Sequence, residues 1–423
     1  MKIKLENIGK IKSAEVELNG ITVIAGENDT GKSTVGKALF CVTNGFSNLG
    51  DRFKAEKKII IQGKLKNLTS FSPNSFLDIT KCLHLAEDFV ENSNIYLRNT
   101  SSLEEKSLKE FQIEPDLTNN AFITNIIDDV IKILEIEDND FLYTFLSHKF
   151  YLEFHGQLSR FGENNCIVEL YSNNSNFSIK MNGSNIEKIK DFDKEFFFKN
   201  SIYIDDINIF NEFGKPYYEI RKEFGNLSRK EYLFSCLNYS PNINIVSDIL
   251  NQKKFRKILE KVNLVSPGDI EIDRMFRTFF YNDKTSESQA ININNLSTGI
   301  KSFSIIKTLI KNGFLSDGGF LILDEPEINL HPKWQLVYAE VLVLLQKTFD
   351  LRILLNTHSP YFLKAIEDYS EYHKINDKCK FYLASNEENY SNIVDVTGDV
   401  EKIYDILAEP FQTLIDVRYA DDD

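Results

Sequence analysis

One stretch near the N-terminus constrains this chain more than any other. Residues 26–34, GENDTGKST, fit the phosphate-loop pattern G-x-x-x-x-G-K-S/T. Residues 21–25 before it are apolar and β-branched and predict a buried strand, and residues 34–40 after it predict the start of a helix. Strand, glycine loop and helix form the setting in which this motif binds phosphate, because the loop N–H groups and the helix N-terminus face the anion.

The loop predicts a nucleotide site that works with a divalent cation. Lys32 brings a positive charge to the β- and γ-phosphates, and the hydroxyl of Ser33 can bind Mg²⁺. The residues expected to bind ATP are Gly26, Asn28, Asp29, Thr30, Gly31, Lys32, Ser33 and Thr34. A chance glycine turn before a helix is the alternative, and the flanking strand and helix argue against it.

Composition excludes several classes of protein. The chain has 423 residues, 42% of them hydrophobic, which is enough for a large core or for two lobes. A net charge of -14 argues against wholesale nucleic-acid coating but leaves room for a local basic patch. The five cysteines are dispersed without metal-binding spacing. No apolar run is long enough to span a bilayer, and the first six residues alternate between apolar and polar side chains as a strand does. These features predict a cytoplasmic protein with reduced thiols and no membrane partner.

Three later stretches carry further chemistry. Residues 320–327, FLILDEPE, predict a buried strand ending in adjacent carboxylates, of which Asp324 would hold the metal and Glu325 would polarise the attacking water. Residues 351–358 predict a second buried strand that ends at His358, on the γ-phosphate side of the site. Residues 296–303, LSTGIKSF, place Ser-Thr-Gly before an apolar helix, which by itself is equally a plain helix N-cap.

The order of these stretches resembles that of ABC-type ATPases. It is most similar to the branch that contains the structural-maintenance-of-chromosomes (SMC) heads, the RecF-like repair proteins, and the OLD-like and other AAA-labelled phage-defence ATPases. The matching stretches are 26–34, 296–301 (LSTGIK, where transporters have LSGGQ), 321–327 (LILDEPE), 329–332 (NLHP) and 356–360 (NTHSP). DEPE-x-x-LHP followed by THSP is specific to this branch, whereas residues 45–200 contain no motif that aligns.

The resemblance implies an α/β fold, namely a P-loop NTPase with an ABC-like head, a mixed central sheet, an antiparallel β-subdomain and helical insertions. The head would span residues 1–370. It would contain a helical insertion at about 45–150, antiparallel strands at about 151–204 that begin with a strand at 151–154, and a helical lobe at about 207–285. Residues 371–423 would complete the head with two strands and a helix and would end in an acidic tail at 421–423.

The resemblance also implies an ATP-dependent homodimer or higher oligomer with ATP sandwiched between subunits. The signature of one subunit would close on the ATP of the other, so that Ser297 and the N–H of Gly299 meet the γ-phosphate in trans and Lys301 adds charge. Within one subunit, Glu325 and His358 would be the catalytic residues.

The same resemblance assigns the metal site and leaves the roles of two further positions open. Ser33 and Asp324 would bind Mg²⁺. Family members usually have a glutamine at the end of the strand before the helical lobe, and this chain has Asp205 and Asp206 there instead. His331 follows the D-loop region, residues 327–330, and is either an interface residue or a structural turn residue.

The resemblance leaves the effector of the ATPase open. OLD-like nucleases continue into a TOPRIM nuclease domain, but only about 55 residues follow Asp368, too few for such a domain. We therefore expect an ATPase head that works with a separate nuclease or toxin in anti-phage defence, as the similar ATPases of PARIS and Septu systems do.

Two alternatives remain open. The lysine-rich segments 54–66 and 253–257 suggest a DNA-repair or DNA-tethering ATPase, although such charge runs are usually solvated helix faces. The second alternative is a transporter's ATP-binding subunit, and the LHP stretch and the non-LSGGQ signature argue against it.

Overall fold

The computed structural model describes residues 1–71, 78–113, 121–172, 175–190, 201–212, 226–239, 245–273, 278–283 and 290–409. The acidic tail predicted at 421–423 and parts of the predicted helical lobe lie outside these residues. The chain divides into two compact units. Unit 1 comprises residues 1–47, 146–218 and 227–423, and unit 2 comprises residues 48–145 and 219–226.

Unit 1 contains the strands. They are β1 (Lys2–Ile8), β2 (Ile11–Glu17), β3 (Ile21–Gly26), β4 (Asn165–Ser172), β5 (Ser175–Asn182), β6 (Asn185–Lys190), β7 (Ser201–Ile204), β8 (Asp269–Asp273), β9 (Thr278–Asn282), β10 (Ile291–Asn292), β11 (Phe320–Asp324), β12 (Arg352–Thr357), β13 (Cys379–Asn386) and β14 (Ser391–Asp395).

Among the described residues, eleven of these strands form one mixed sheet. Its order is β6-β5-β4-β1-β2-β14-β13-β3-β12-β11-β7, and a separate antiparallel sheet has the order β10-β9-β8. Strands β13, β3, β12, β11 and β7 are mutually parallel, whereas the β1, β2, β4, β5 and β6 end of the sheet is antiparallel. Parallel strands are typically covered on both faces, and β3 is buried along its whole length.

The helices fall in both units. Those of unit 1 are α1 (Lys32–Phe46), α8 (Arg229–Leu237), α9 (Ile245–Asn263), α10 (Thr298–Lys311), α11 (Pro332–Phe349) and α12 (Pro360–Tyr372), and residues 401–409 are also helical. Those of unit 2 are α2 (Leu49–Leu65), α3 (Asp78–Glu91), α4 (Ser93–Arg98), α5 (Thr100–Glu110) and α6 (Ala121–Glu135), and α7 (Asp138–Phe154) contributes residues to both units.

Helix α1 packs so closely on the sheet that one of its positions requires glycine. A Cβ on Gly36 would lie 2.9 Å from Cγ2 of Ile322 in β11 and 3.0 Å from Cε2 of Tyr203 in β7. Real Cβ atoms avoid such contacts, so glycine lets the phosphate-loop helix approach the strands that end at the site.

Unit 2 has an apolar core of its own. It is formed by the inner faces of α2, α3 and α6, and includes Ile61, Phe89 and Val130, all fully buried. Helix α6 is amphipathic, with Ile123, Ile126, Ile127, Val130 and Leu134 buried on one face.

The strand predicted at residues 151–154 is wrong. These residues form the last turn of α7, where the rings of Phe150 and Phe154 stack at 6.2 Å. A short apolar run fits a strand and a buried helix equally well, and here the preceding helix simply continues. Antiparallel strands are present within the expected range of about 151–204 as β4, β5 and β6. Strand β7 lies in the same range but pairs in parallel with β11, so the expectation of antiparallel pairing is wrong there.

The predicted fold class is confirmed. The described residues form an α/β protein with a mixed central sheet, a small antiparallel sheet and many helices. A search of their helices for one with the length and hydropathy needed to span a bilayer finds none.

Candidate active site

Neighbouring parallel strands bring the predicted site residues to one edge of the sheet. In the ladder, Asp324 of β11 pairs with Asn356 of β12, and Thr357 pairs with Ala25 of β3. Leu323 pairs with Ile204, which ends β7. The phosphate loop, the Asp324–Glu325 pair, His358 and Asp205 therefore follow the carboxyl ends of adjacent strands, where α/β sheets bind ligands.

The phosphate loop is held in shape by its glycines and by Lys32. Gly31 has a left-handed φ of 80°, and a Cβ there would lie 2.9 Å from Cγ1 of Ile11. Thr30 Oγ1 donates to the carbonyl of Glu27 at 2.8 Å, and Lys32 Nζ donates to the carbonyl of Gly26 at 2.9 Å. These contacts curl the loop around the start of α1.

The Lys32 ammonium group is buried beside acidic groups. Lys32 is 5% exposed. Burial lowers the pKa of Lys32, and the charges of Glu325, Asp324 and Glu327 act in the opposite direction. A buried ammonium group in a cradle of N–H groups is well suited to a polyanionic ligand such as a triphosphate.

Asp324 is oriented by both neighbouring strands. Its Oδ2 accepts a hydrogen bond from the hydroxyl of Tyr203 at 3.1 Å, and its Oδ1 accepts one from Nδ2 of Asn356 at 3.0 Å. Asp324 and Ser33 line one cleft together with Asp205, Glu325 and Asn329. Carboxylate and hydroxyl oxygens are the ligands that Mg²⁺ prefers, so the donor set at this cleft fits that ion.

Glu325 adopts a backbone conformation that is uncommon for its residue type. Its φ is 50°, and its N–H donates to the carbonyl of Asn356 at 2.9 Å. Its Oε1 lies 3.2 Å from Nδ1 of His358, with the two side chains 28% and 39% exposed. A strained, half-exposed carboxylate next to an imidazole is the arrangement expected of a group that orients water.

The signature residues, 296–301, form the start of helix α10. Ser297 is the N-cap of α10, and its Oγ accepts from the N–H of Ile300 at 3.4 Å. A Cβ on Gly299 would lie 2.4 Å from Cζ3 of Trp334, so the α10 start packs directly on the α11 start. Lys301 is 4% exposed, and burial lowers its pKa. The cap role accounts for the local geometry, while the role of these residues toward a second subunit stays a prediction.

Asp205 and Asp206 stand where the family has glutamine, and both are engaged in ion pairs. The Arg229 guanidinium donates to Asp205 Oδ2 at 2.7 Å and to Glu153 Oε2 at 2.7 Å, and Asp206 pairs with Lys230 at 2.9 Å. Glu153 is fully buried. In this conformation, Asp205 faces the cleft but has its charge balanced by Arg229.

Arg229 also contacts Tyr203, the residue that donates a hydrogen bond to the predicted metal ligand Asp324. Its guanidinium lies 5.4 Å from the centre of the Tyr203 ring, and Tyr203 donates to Asp324. Burial acts to lower the pKa of Arg229, but the charges of Asp205 and Glu153 raise it overall. Sequence reasoning missed Tyr203, Arg229 and Glu153. The only local signal was the capping box at Ser228 and Glu231, which marks the helix start but not the partners.

His331 has a structural explanation. It is the N-cap of α11, its Nδ1 accepts from the N–H of Lys333 at 3.3 Å, and Pro332 follows at the first helical position. This is the turn role considered for His331 as an alternative to an interface role.

Several basic side chains of the lysine-rich segments form ion pairs within the chain. Lys54 pairs with Glu91 at 2.9 Å, Lys64 with Asp129 at 2.6 Å, and Lys58 with both Glu87 and Glu91. In the second segment, Lys254 pairs with Asp317, Arg256 pairs with Glu260, and Phe255 is buried against Phe349. Charges paired in this way form weaker phosphate contacts than free ones.

Comparisons with known proteins show similarity to ATPases. A family described as "AAA ATPase domain" matches residues 1–363. The Retron Vc95 probable ATPase of Vibrio cholerae serotype O1 biovar El Tor is 26% identical over an alignment of 410 positions, and the alignment covers 86% of this chain and 72% of that protein.

Solved structures give a more distant similarity. An SMC head bound to the C-winged helix domain of ScpA has a TM-score of 0.45 at 10% identity, covering 95% of this chain and 98% of that one. The SMC head domain from Thermotoga maritima has a TM-score of 0.38 at 11% identity, covering 93% and 98%. The family match needs no support from these weak similarities. Because it covers residues 1–363, the chain belongs to the AAA ATPase domain family, as the sequence predicted.

Proposed function

We propose that this protein binds ATP and Mg²⁺ and hydrolyses ATP to ADP and phosphate. The observation that carries the proposal is the convergence of Lys32, Ser33, Asp324 and Glu325 at the ends of adjacent parallel strands, with His358 3.2 Å from Glu325. This combination brings together a loop that can bind phosphates, oxygen atoms that can bind Mg²⁺, and a carboxylate that can orient the attacking water.

Each group has a distinct role in this proposal. The phosphate loop, residues 26–34, binds the triphosphate through its N–H groups, and Lys32 neutralises charge on the β- and γ-phosphates. Ser33 and Asp324 hold Mg²⁺, which neutralises the charge that develops on the phosphates. Glu325 orients and polarises the attacking water, and His358 lies beside it facing the γ-phosphate.

We further propose that the complete site forms across a homodimer or higher oligomer. Ser297, the N–H of Gly299, and Lys301 of one subunit would meet the γ-phosphate bound by the other. Apolar side chains near the cleft support a covered surface there, since Ile328 is 41% exposed and Tyr361, beside the His358 segment, is 47% exposed.

The ATP-driven assembly would regulate a separate effector, such as a nuclease or toxin, in cytoplasmic anti-phage defence. Support comes from the resemblance to stand-alone defence ATPases and from a relative named as the probable ATPase of a retron. A DNA-repair or DNA-tethering role has less support, because the lysine-rich segments are engaged in intramolecular ion pairs.

Glu325→Gln tests the ATPase proposal. We expect wild-type protein to release phosphate from ATP only with Mg²⁺, and Glu325→Gln to bind ATP normally but turn it over at least about a hundredfold more slowly. Mass photometry should show ATP-dependent assembly of that variant. Wild-type turnover by Glu325→Gln would exclude it from the catalytic role.

The effector proposal requires a test in cells. The protein would be co-expressed with the products of its neighbouring genes, in wild-type and Lys32→Ala forms, and challenged with phage. Protection that needs both a neighbouring gene and an intact Lys32 is expected. Protection by the ATPase alone would contradict the separate effector.

A further inference from the structure

A buried carboxyl group, that of Glu327, follows the Asp324–Glu325 pair closely in sequence. Asp324 and Glu325 line the cleft, whereas Glu327, two residues later, is only 3% exposed. Acidic side chains are rarely buried to this extent unless they are paired, so the contacts of Glu327 require an explanation.

Glu327 holds the residue just before His358. Its Oε1 accepts a hydrogen bond from Oγ1 of Thr357, which is fully buried at the end of β12. The same Oγ1 accepts a hydrogen bond from the N–H of Ser359 at 3.0 Å. A hydroxyl has a single proton, and here that proton is donated to Glu327. The two hydrogen bonds thus fix the Thr357 rotamer and link the residues on both sides of His358.

The segment 357–359 sets the geometry of the predicted catalytic pair. His358 Nδ1 lies 3.2 Å from Glu325 Oε1. Ser359 is the N-cap of α12, where its Oγ accepts from the N–H of Phe362 at 3.2 Å. The segment is therefore held by β12 on one side, by α12 on the other, and by Glu327 through the Thr357 side chain.

We propose that Glu327 is a positioning residue for ATP hydrolysis, which holds Thr357 so that His358 keeps its place beside Glu325. The inference rests on the proposed function, because it concerns the same site. Displacing a reacting group by about 1 Å can lower a rate by about a hundredfold, so an anchor outside the cleft can control turnover.

The buried position of Glu327 disfavours its charge. Burial raises the pKa of Glu327, the charge of Glu325 acts in the same direction, and the hydrogen bond from Thr357 opposes them. Its Oε2 has no hydrogen-bond partner among the described residues, and an unpaired buried charge there would be costly. Glutamine, which is neutral and keeps an acceptor oxygen, is the matched replacement.

The test compares variants that keep the hydrogen bond between the Thr357 hydroxyl and the acceptor oxygen of residue 327 with variants that lose it. Glu327→Gln and Thr357→Ser should keep kcat within about threefold of wild type. Glu327→Leu and Thr357→Val should lower kcat by about tenfold to a hundredfold while changing KM for ATP less than about threefold. Because both substitutions break the same hydrogen bond between Thr357 and Glu327, the Glu327→Leu/Thr357→Val variant should be no slower than the slower single variant.

The outcomes separate this inference from the proposed function. Thr357→Val is nearly isosteric, so it carries the test if Glu327→Leu fails to fold. If wild type hydrolyses ATP and Thr357→Val matches its kcat, or if the losses multiply in the double variant, the positioning role is wrong while the proposed function stands. If wild type does not hydrolyse ATP, both are wrong.

Discussion

Removing the charge of Arg229 should destabilise unit 1 more than most single substitutions. Arg229→Met removes the hydrogen bonds to Glu153 Oε2 and to Asp205 Oδ2, each 2.7 Å long, and leaves Glu153 fully buried without its counter-ion. The N–H of residue 229 would still donate to Glu153 Oε1 at 2.6 Å, so part of the carboxylate stays satisfied. Breaking one side of a buried ion pair typically costs about 3 to 5 kcal/mol.

The size of this loss can be expressed as a melting temperature. Unit 1 contains more than 300 residues. At about 2.1 cal/mol/K per residue, its unfolding entropy is about 0.7 kcal/mol/K, so a loss of about 3 to 5 kcal/mol lowers Tm by about 4 to 7 °C. Differential scanning calorimetry of the purified protein measures this shift directly.

Two control variants identify the cause. Arg229→Lys keeps the charge but loses the forked geometry, so its Tm should lie between those of Arg229→Met and wild type. Arg229→Met combined with Glu153→Met removes the fully buried carboxylate together with its counter-ion and should recover most of the loss, because only Asp205, which is 17% exposed, then lacks its ion-pair partner. An Arg229→Met variant that melts within about 1 °C of wild type, or a double variant that melts well below it, would refute the reasoning.

Three further changes test the site and its packing. Lys32→Ala should abolish binding of a fluorescent ATP analogue, since the phosphates lose their counter-charge, and normal affinity would remove the phosphate-loop assignment. Ser297→Arg in the Glu325→Gln background should leave ATP binding nearly intact but prevent ATP-dependent association in mass photometry. The reason is that a cation would occupy the N-terminus of the helix that begins at the signature. If association is unchanged, residues 296–301 are only a helix cap. Gly36→Ala should cost about 1 to 3 kcal/mol through overpacking, seen as a lower Tm, whereas Gly63→Ala, with open space around it, should be neutral or stabilising; equal effects would contradict the packing argument.

The parts of the site that were predicted from sequence are those built by consecutive residues. The phosphate loop at 26–34, the Asp324–Glu325 pair and the strand ending at His358 each depend on local backbone geometry, so a short pattern identifies them. Their convergence also follows from pattern, because the carboxyl ends of adjacent parallel strands meet at one edge.

The parts that were not predicted depend on pairs of residues distant in sequence. Arg229 meets Glu153 from 76 residues away, and Thr357 meets Glu327 from 30 residues away. Local sequence propensity does not predict such pairs, because the sequence pattern around a buried charged residue does not differ from that around an exposed one. The strand expected at 151–154 failed for a related reason, since only the surrounding packing distinguishes a helix end from a strand in a short apolar run.

The contact between Gly299 and Trp334 would let the protein report on the proposed subunit closure. Trp334 is the single tryptophan in the sequence, and its half-buried ring lies against the signature glycine. Fluorescence excited at wavelengths that tyrosine does not absorb therefore comes from Trp334 alone, at the surface that would meet the ATP of a second subunit. Closure of that surface would remove water from the indole and shift its emission to the blue. Under the proposed dimerisation, the emission of unlabelled protein would follow subunit closure in time as ATP is bound and hydrolysed.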